Sequence, residues 1–395
     1  MHKKVAVIGG GAAGFFLAIN LKERCPQAEV TIMERAGRVL RKVELSGGGR
    51  CNLTNTFQDI SDLRQVYPRG HRLLGRLFRV FGHRHTWQWF EQRGVRLVAQ
   101  PDHCVFPQSQ DARTVSGLFI AEAHRLGVEV KTGCWVQSLD ELSGYDYICV
   151  TTGGQPRPDG LLWLQQPVVE PVPSLFSLSI ADEQLTALTG TVVPAASLMI
   201  PATKLRASGP LLITHWGVSG PAVLRLSSYA ARWLHEARYQ SPLLVNWAGC
   251  TEAEALTMLT TLTQTCAKKL IPSVSPLGVP QRLWAYLAEK SLGQRAHAPW
   301  GCLNAKELRR LAGVVTADAC TISGRAPHRD EFVTCGGIDL SAVNPHTLES
   351  RTRPGLFFAG EVLDIDGVTG GFNFQAAWTT AYTVASAIQN YLTLT

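Results

Sequence analysis

The chain has 395 residues, of which 45% are hydrophobic, and carries a formal net charge of +7. That length and apolar content bury a large core and fit two or three domains, which excludes a disordered chain, a collagen-like repeat and a disulfide-stapled miniature. The small positive excess names no partner, although it permits a polyanionic one.

Val5 to Ile19 is a run of fifteen apolar or glycine residues behind Lys3-Lys4, the outline of a signal peptide. It holds four glycines in a fixed pattern and continues into Asn20, Lys22 and Glu23 at helical spacing, without a small-residue cleavage site. This predicts a strand, a turn and a helix instead. No later apolar stretch is long enough to span a bilayer, so no membrane is expected. Ten cysteines lie scattered with no CxxC pair. They predict reduced thiols in a cytoplasmic protein and no metal site.

Lys4 to Ile8 reads as a buried strand of the parallel type. Gly9-Gly10-Gly11-Ala12-Ala13-Gly14 then fits GxGxxG. Gly9 allows the tight turn, Gly11 lets backbone approach a pyrophosphate, and Gly14 lets the helix pack on the sheet. Residues 12–24 form the helix, with its free N–H groups toward the phosphates. Glu29 to Glu34 is the second strand, ending in an acid twenty residues after Gly14 that suits ribose hydroxyls. The fingerprint alone fits NAD as well as FAD.

Tyr145 to Val150 is another strand, running into Thr151, Thr152, Gly153 and Gly154. This exit resembles that of two-dinucleotide-fold flavoproteins. Gly355 to Glu361 is a late strand ending in Gly360-Glu361, an acid suited to the ribityl chain or pyrophosphate of FAD. Gly367 to Asn373 opens a final helix at about 374–390, whose N-terminus favours negative charge on a reduced flavin ring. The cofactor domain is therefore discontinuous, 1–158 plus 352–395. There is no second GxGxxG, so NADH or NADPH, if it is the electron donor, has no dinucleotide fold of its own.

Arg41 to Asn55, with Ser46-Gly47-Gly48-Gly49-Arg50-Cys51-Asn52-Leu53-Thr54-Asn55 at its centre, resembles the YhiN/BaiN-type flavoproteins. So do Val105-Phe106-Pro107, Thr214-His215-Trp216-Gly217-Val218-Ser219-Gly220-Pro221, Thr334-Cys335-Gly336-Gly337-Ile338 and Gly360 to Gly367. The chain departs from that pattern at residues 155–160, where Gln155-Pro156-Arg157-Pro158-Asp159-Gly160 stands, and at Phe372 within Gly370-Gly371-Phe372-Asn373. The resemblance implies an α/β chain: a discontinuous Rossmann-like FAD domain, an inserted β-barrel-like domain (159–251 and 313–351) and a small helical domain (252–312). It further implies that Ala13, Arg35, Arg41, Lys42, Ser46, Gly49, Arg50, Cys51, Asn52, Gly370, Gly371, Phe372 and Asn373 join the fingerprint residues at the cofactor. The strand-like composition of 168–250 and the helix-like stretches Glu252 to Lys269 and Gln281 to Glu289 fit.

Reducing an activated C=C needs hydride from flavin N5, a general acid and donors on the conjugated carbonyl. Cys51 is the first candidate acid, with Arg50 to polarise it or a substrate carbonyl; a small buried residue is the competing reading. His215 is the second candidate, against a structural histidine. Residues 64–96 hold eight arginines (Arg64, Arg69, Arg72, Arg76, Arg79, Arg84, Arg93, Arg96), three histidines and one acid, Glu91, with Trp87, Trp89 and Phe90 interleaved. The competing reading is a solvated helical face; the functional one is ribosomal RNA, held by arginine forks and aromatic faces. The resemblance implies reduction of uridine to dihydrouridine in 23S rRNA, with the base unpaired or flipped. A reductase of a small steroid-like enone and a flavin-containing RNA-binding or assembly factor without turnover are the alternatives.

Overall fold

A computed structural model describes residues 3–155, 157–326 and 333–394. Pro156, within the departure at 155–160, lies outside the described residues. The chain forms two compact units, Met1–Val172 with Val333–Thr395, and Pro173–Phe332.

The first unit is built on a five-stranded parallel sheet in the order Leu356–Phe358, Tyr147–Val150, Lys4–Ile8, Glu29–Glu34, Glu129–Thr132. The apolar run Val5–Ile8 sits at its centre, with Val5, Ala6 and Val7 fully buried, because helices cover both faces of such a sheet. The late strand pairs directly with Tyr147–Val150, in the register Phe357 to Cys149. Residues some two hundred positions apart therefore share one sheet edge.

Helix Ala12–Arg24 and the final helix, Phe372–Leu394, pack through Phe16 and Trp378, whose rings are 5.2 Å apart. The final helix is longer than its sequence signal: Phe372 begins it, and Phe372 is buried. Phe81, Trp89, Phe90 and Phe119 complete this aromatic core. A small antiparallel sheet joins Thr54–Asn55, Cys104–Pro107 and Leu97–Ala99.

The second unit is a closed six-stranded barrel, in the order Val192–Met199, Arg206–Thr214, Gly217–Ser219, Leu178–Ile180, Asp318–Arg325, Ser241–Asn246. Helices Glu252–Thr265, Gln281–Leu292 and Ala305–Ala317 follow from capping boxes at Thr251 and Asn304 and from the break at Pro280. They share one apolar core with the barrel, in which Leu283, Trp284 and Leu311 stand with Leu211, Ile213 and Ile322.

Leu283 is fully buried in that shared core, so Leu283→Ala is expected to cost about 2–5 kcal/mol. Hydrogen exchange should then accelerate in the barrel strand Arg206–Thr214 as well as in helix Gln281–Leu292. Acceleration confined to the helix would show two separate cores.

Candidate functional site

The Gly9–Gly14 turn is held by contacts that leave no room for side chains. Thr151 Oγ1 donates to the carbonyls of Ile8 and Gly9 at 3.1 and 2.9 Å. Gly9 lies at φ +114°, and a Cβ on it would stand 2.5 Å from the Thr151 carbonyl oxygen. A Cβ on Gly14 would stand 2.0 Å from the Gly9 carbonyl oxygen, which is why the helix can start so close to the strand. Gly11 is different: a Cβ there meets nothing within 4 Å, so its backbone borders open space at the helix N-terminus. Ala13 is buried beneath that turn, and a Cβ on Gly360 would come within 2.9 Å of the Ala13 methyl.

Glu34 ends the second strand as expected, and its carboxylate already has work within the protein. One oxygen accepts the Gly10 N–H and the other the Ala36 N–H, both at 2.8 Å. A carboxylate offers about four acceptor positions, so two are left for ribose hydroxyls. Arg35 and Arg41 are exposed, and Arg41 lines an open groove with Arg38, Gly37 and Glu44.

Glu361 meets the Gly153-Gly154 exit. It accepts the Thr334 N–H at 2.9 Å and the Lys42 ammonium at 3.1 Å, and a Cβ on Gly154 would stand 2.7 Å from its carboxylate. The neighbouring Thr152 hydroxyl is buried with no hydrogen-bond partner among the described residues. The cost of an unmet buried hydroxyl is about 1–3 kcal/mol, which a ligand contact would remove.

Residues 46–51 form a loop rather than a continuous helix. Ser46 is extended, and Gly47, Gly48, Gly49 and Cys51 all have positive φ, between +57° and +83°. Gly48 and Gly49 border open space. The Ser46 carbonyl accepts the Cys51 N–H at 3.0 Å, closing the loop, while the Ser46 hydroxyl donates to Val43. Cys51 is fully buried, and burial pushes its thiol up to about 12. Arg50 lies over Phe106 at 4.4 Å and donates to the Gly47 carbonyl at 3.1 Å.

The loop before the final helix closes on the same region. A Cβ on Gly371 would stand 2.2 Å from the Thr54 carbonyl oxygen, and the Asn52 amide, oriented to satisfy its neighbours, accepts the Gly371 N–H at 3.2 Å. Asn55 donates to the Gly370 carbonyl at 3.1 Å. Asn373 accepts the Gly367 N–H and donates to the Gly367 carbonyl, clamping its own loop. The structure thus gathers Gly9, Gly11, Gly14, Thr152, Gly153, Gly154, Gly360, Glu361, Lys42, Ser46, Asn52, Gly370 and Gly371 in one unit.

His215 belongs to the other unit, exposed on the turn after strand Arg206–Thr214, with its ring edge-on to Trp216. Within 64–96, the expectation of interleaved aromatic faces is corrected for Trp89 and Phe90, whereas Trp87 is half-buried. Trp89 and Phe90 are core side chains at 5% and 0% exposure, and cannot stack on a ligand. Two of the arginines are structural: Arg69 forms a paired-fork ion pair with buried Asp366, and Arg93 binds Glu23 and lies over Trp89. Arg64 binds Asp62. Arg72, Arg76, Arg79, Arg84 and Arg96 remain exposed, with no carboxylate partner among the described residues. The Arg69–Asp366 and Tyr67–Phe372 contacts had no sequence signal, because the partners lie about three hundred residues apart.

These features fit FAD. The Gly11 backbone is open, no acid occupies the first turn of helix Ala12–Arg24 or of the final helix, and the Thr152 hydroxyl has no hydrogen-bond partner among the described residues.

A family model described as "HI0933-like protein Rossmann domain" matches residues 3–387. The 3-dehydro-bile acid delta(4,6)-reductase of Clostridium scindens is 27% identical, over 97% of this chain and 98% of its own. The ribosomal RNA dihydrouridine synthase of Haemophilus influenzae is 26% identical, over 97% of each chain. The enzyme of the same description from Escherichia coli is 26% identical, over 96% of each.

Gly11→Ala and Gly14→Ala should fail in different ways. Gly14→Ala is expected to lower the melting temperature and the bound-flavin absorbance together, since its Cβ collides with Gly9. Gly11→Ala is expected to melt like the wild type while losing flavin, since its Cβ only fills open space. Equal flavin content in Gly11→Ala and wild type would remove the pyrophosphate from that position.

Proposed function

Because the chain belongs to the HI0933-like Rossmann-domain family of FAD-dependent oxidoreductases, we propose that it reduces the conjugated C5=C6 bond of a uridine in 23S ribosomal RNA to dihydrouridine, with NADH or NADPH as the electron donor. FAD, when bound, supplies the hydride. The observation that carries the RNA substrate is the exposed set Arg72, Arg76, Arg79, Arg84 and Arg96, which has no carboxylate partner among the described residues. Arginine forks left free of carboxylates suit phosphates.

The chain's own residues divide the work. Lys42 and Glu361 form an ion pair beside Gly153 and Gly154, holding the strand exit in shape for a pyrophosphate or ribityl chain. Asn52 and Asn55 tie the glycine loop to Gly370 and Gly371, and so fix the wall on which a flavin ring would rest. Cys51 holds the loop closed through its N–H. As an acid its thiol is poorly matched to neutral pH, because burial disfavours the thiolate it would leave behind. Cys51 is therefore assigned to closing the loop and not to the proton.

Purified protein with FAD and NADH or NADPH should raise dihydrouridine in rRNA from a strain that lacks the gene. Unchanged uridine, together with turnover of a free enone, would replace this reading with the small-molecule reductase. Arg76→Gln, Arg79→Gln and Arg84→Gln combined should weaken RNA binding and lower the slope of log affinity against log salt by about 2. Cys51→Ala should keep kcat within several-fold, because the buried thiol is not the proton donor. A loss of about 10²–10⁴ in Cys51→Ala would return the proton to the thiol.

A further inference from the structure

One aromatic pair joins the arginine surface to the cofactor loops. Phe57 and His83 are stacked, with ring centroids 5.0 Å apart and planes at 20°. Both are half-buried, so each keeps some exposed surface. Phe57 stands at φ +57°, an unfavourable conformation for an aromatic residue. Asn55 secures it there: its side-chain oxygen accepts the Phe57 N–H at 3.0 Å while its amide donates to the Gly370 carbonyl. The Phe57 ring also meets Phe372, the first residue of the final helix, edge-on at 5.2 Å, and Phe78 at 5.6 Å. The stack is thus tied to the Gly370–Phe372 loop by a hydrogen bond and by a ring contact.

Exposed arginines flank it along the chain. His83 opens helix His83–Glu91, exposed Arg84 follows it, and exposed Arg79 precedes it. His85 accepts the Gly82 N–H through Nδ1 and its ring lies on Phe81, and Trp89 and Phe90 are core. Burial, with Arg84 and His85 beside it, holds the His83 imidazole below its usual range, which favours the neutral ring.

We propose that the His83–Phe57 stack is a docking platform for an unpaired base of single-stranded RNA, whose phosphates Arg79 and Arg84 hold. The proposal rests on the RNA reading above and extends it to the residues that receive a base next to the cofactor loops. Aromatic side chains, histidine included, stack on unpaired bases at about 1–3 kcal/mol each and tolerate any sequence.

The test compares an oligouridylate with an abasic oligonucleotide of the same length and charge, each titrated against the flavin-loaded full chain. Wild type should prefer the oligouridylate. His83→Ala should weaken oligouridylate binding by about tenfold and leave abasic binding within about twofold, while His83→Phe restores the preference. An unchanged flavin absorbance spectrum in both variants shows that the cofactor loops are intact. Equal loss on both strands, or loss on neither, overturns the platform. Wild type binding both strands equally also overturns it but leaves the RNA reading standing. Wild type binding neither strand overturns both.

Discussion

The Thr151 hydroxyl bridges the carbonyls of Ile8 and Gly9, and much of the first unit depends on that clamp. It draws the exit of strand Tyr147–Val150 against the first turn so closely that Gly9 and Gly14 cannot carry side chains. With the turn pressed inward, the N-terminus of helix Ala12–Arg24 opens beside Gly11, and the Gly153-Gly154 exit is brought alongside. A larger residue at either tight position would push the helix off the sheet and move the N–H groups that a pyrophosphate needs. Helix position, sheet order and cofactor wall are one geometric constraint.

A second constraint is that the site needs both ends of the chain. Segment 66–70 is zipped to segment 365–372: Arg69 pairs with buried Asp366, Val368 N–H donates to Val66, and Tyr67 OH donates to the Phe372 carbonyl. Gln375, fully buried on the final helix, accepts from both Thr54 and Thr86. The final helix thus pins the glycine-rich loop on one side and the arginine-bearing helix on the other. Buried polar groups of this kind are costly unless every partner is present, so they fix one arrangement of the loops.

In the second unit, a single apolar core takes side chains from the barrel and from the helices between residues 252 and 317. Trp284 and Trp300 stack at 5.8 Å within it. Lys290 binds Asp318 on a barrel strand at 2.7 Å and reaches Tyr286, which in turn donates to Asp182. Helix composition alone could not reveal this sharing, because an apolar helical stripe reads the same whichever surface covers it.

By itself the sequence determined the parts whose physics is local. The turn at Gly9–Gly14 needs glycines at fixed spacing, the acid at Glu34 ends a strand of predictable length, and the apolar run Val5–Ile8 can only be a buried strand beside them. The Rossmann-like fold and its discontinuity followed from such segments recurring in order. Tertiary structure decided what distance in sequence concealed. It sent Trp89 and Phe90 into the core and left Arg72, Arg76, Arg79, Arg84 and Arg96 outside, although all lie in one basic stretch. It spent Arg69 on Asp366, joined Asn55 to Gly370, and buried Cys51 completely. Composition states which groups are available. Which of them face solvent is set by packing against partners up to three hundred residues away, and no local pattern encodes that.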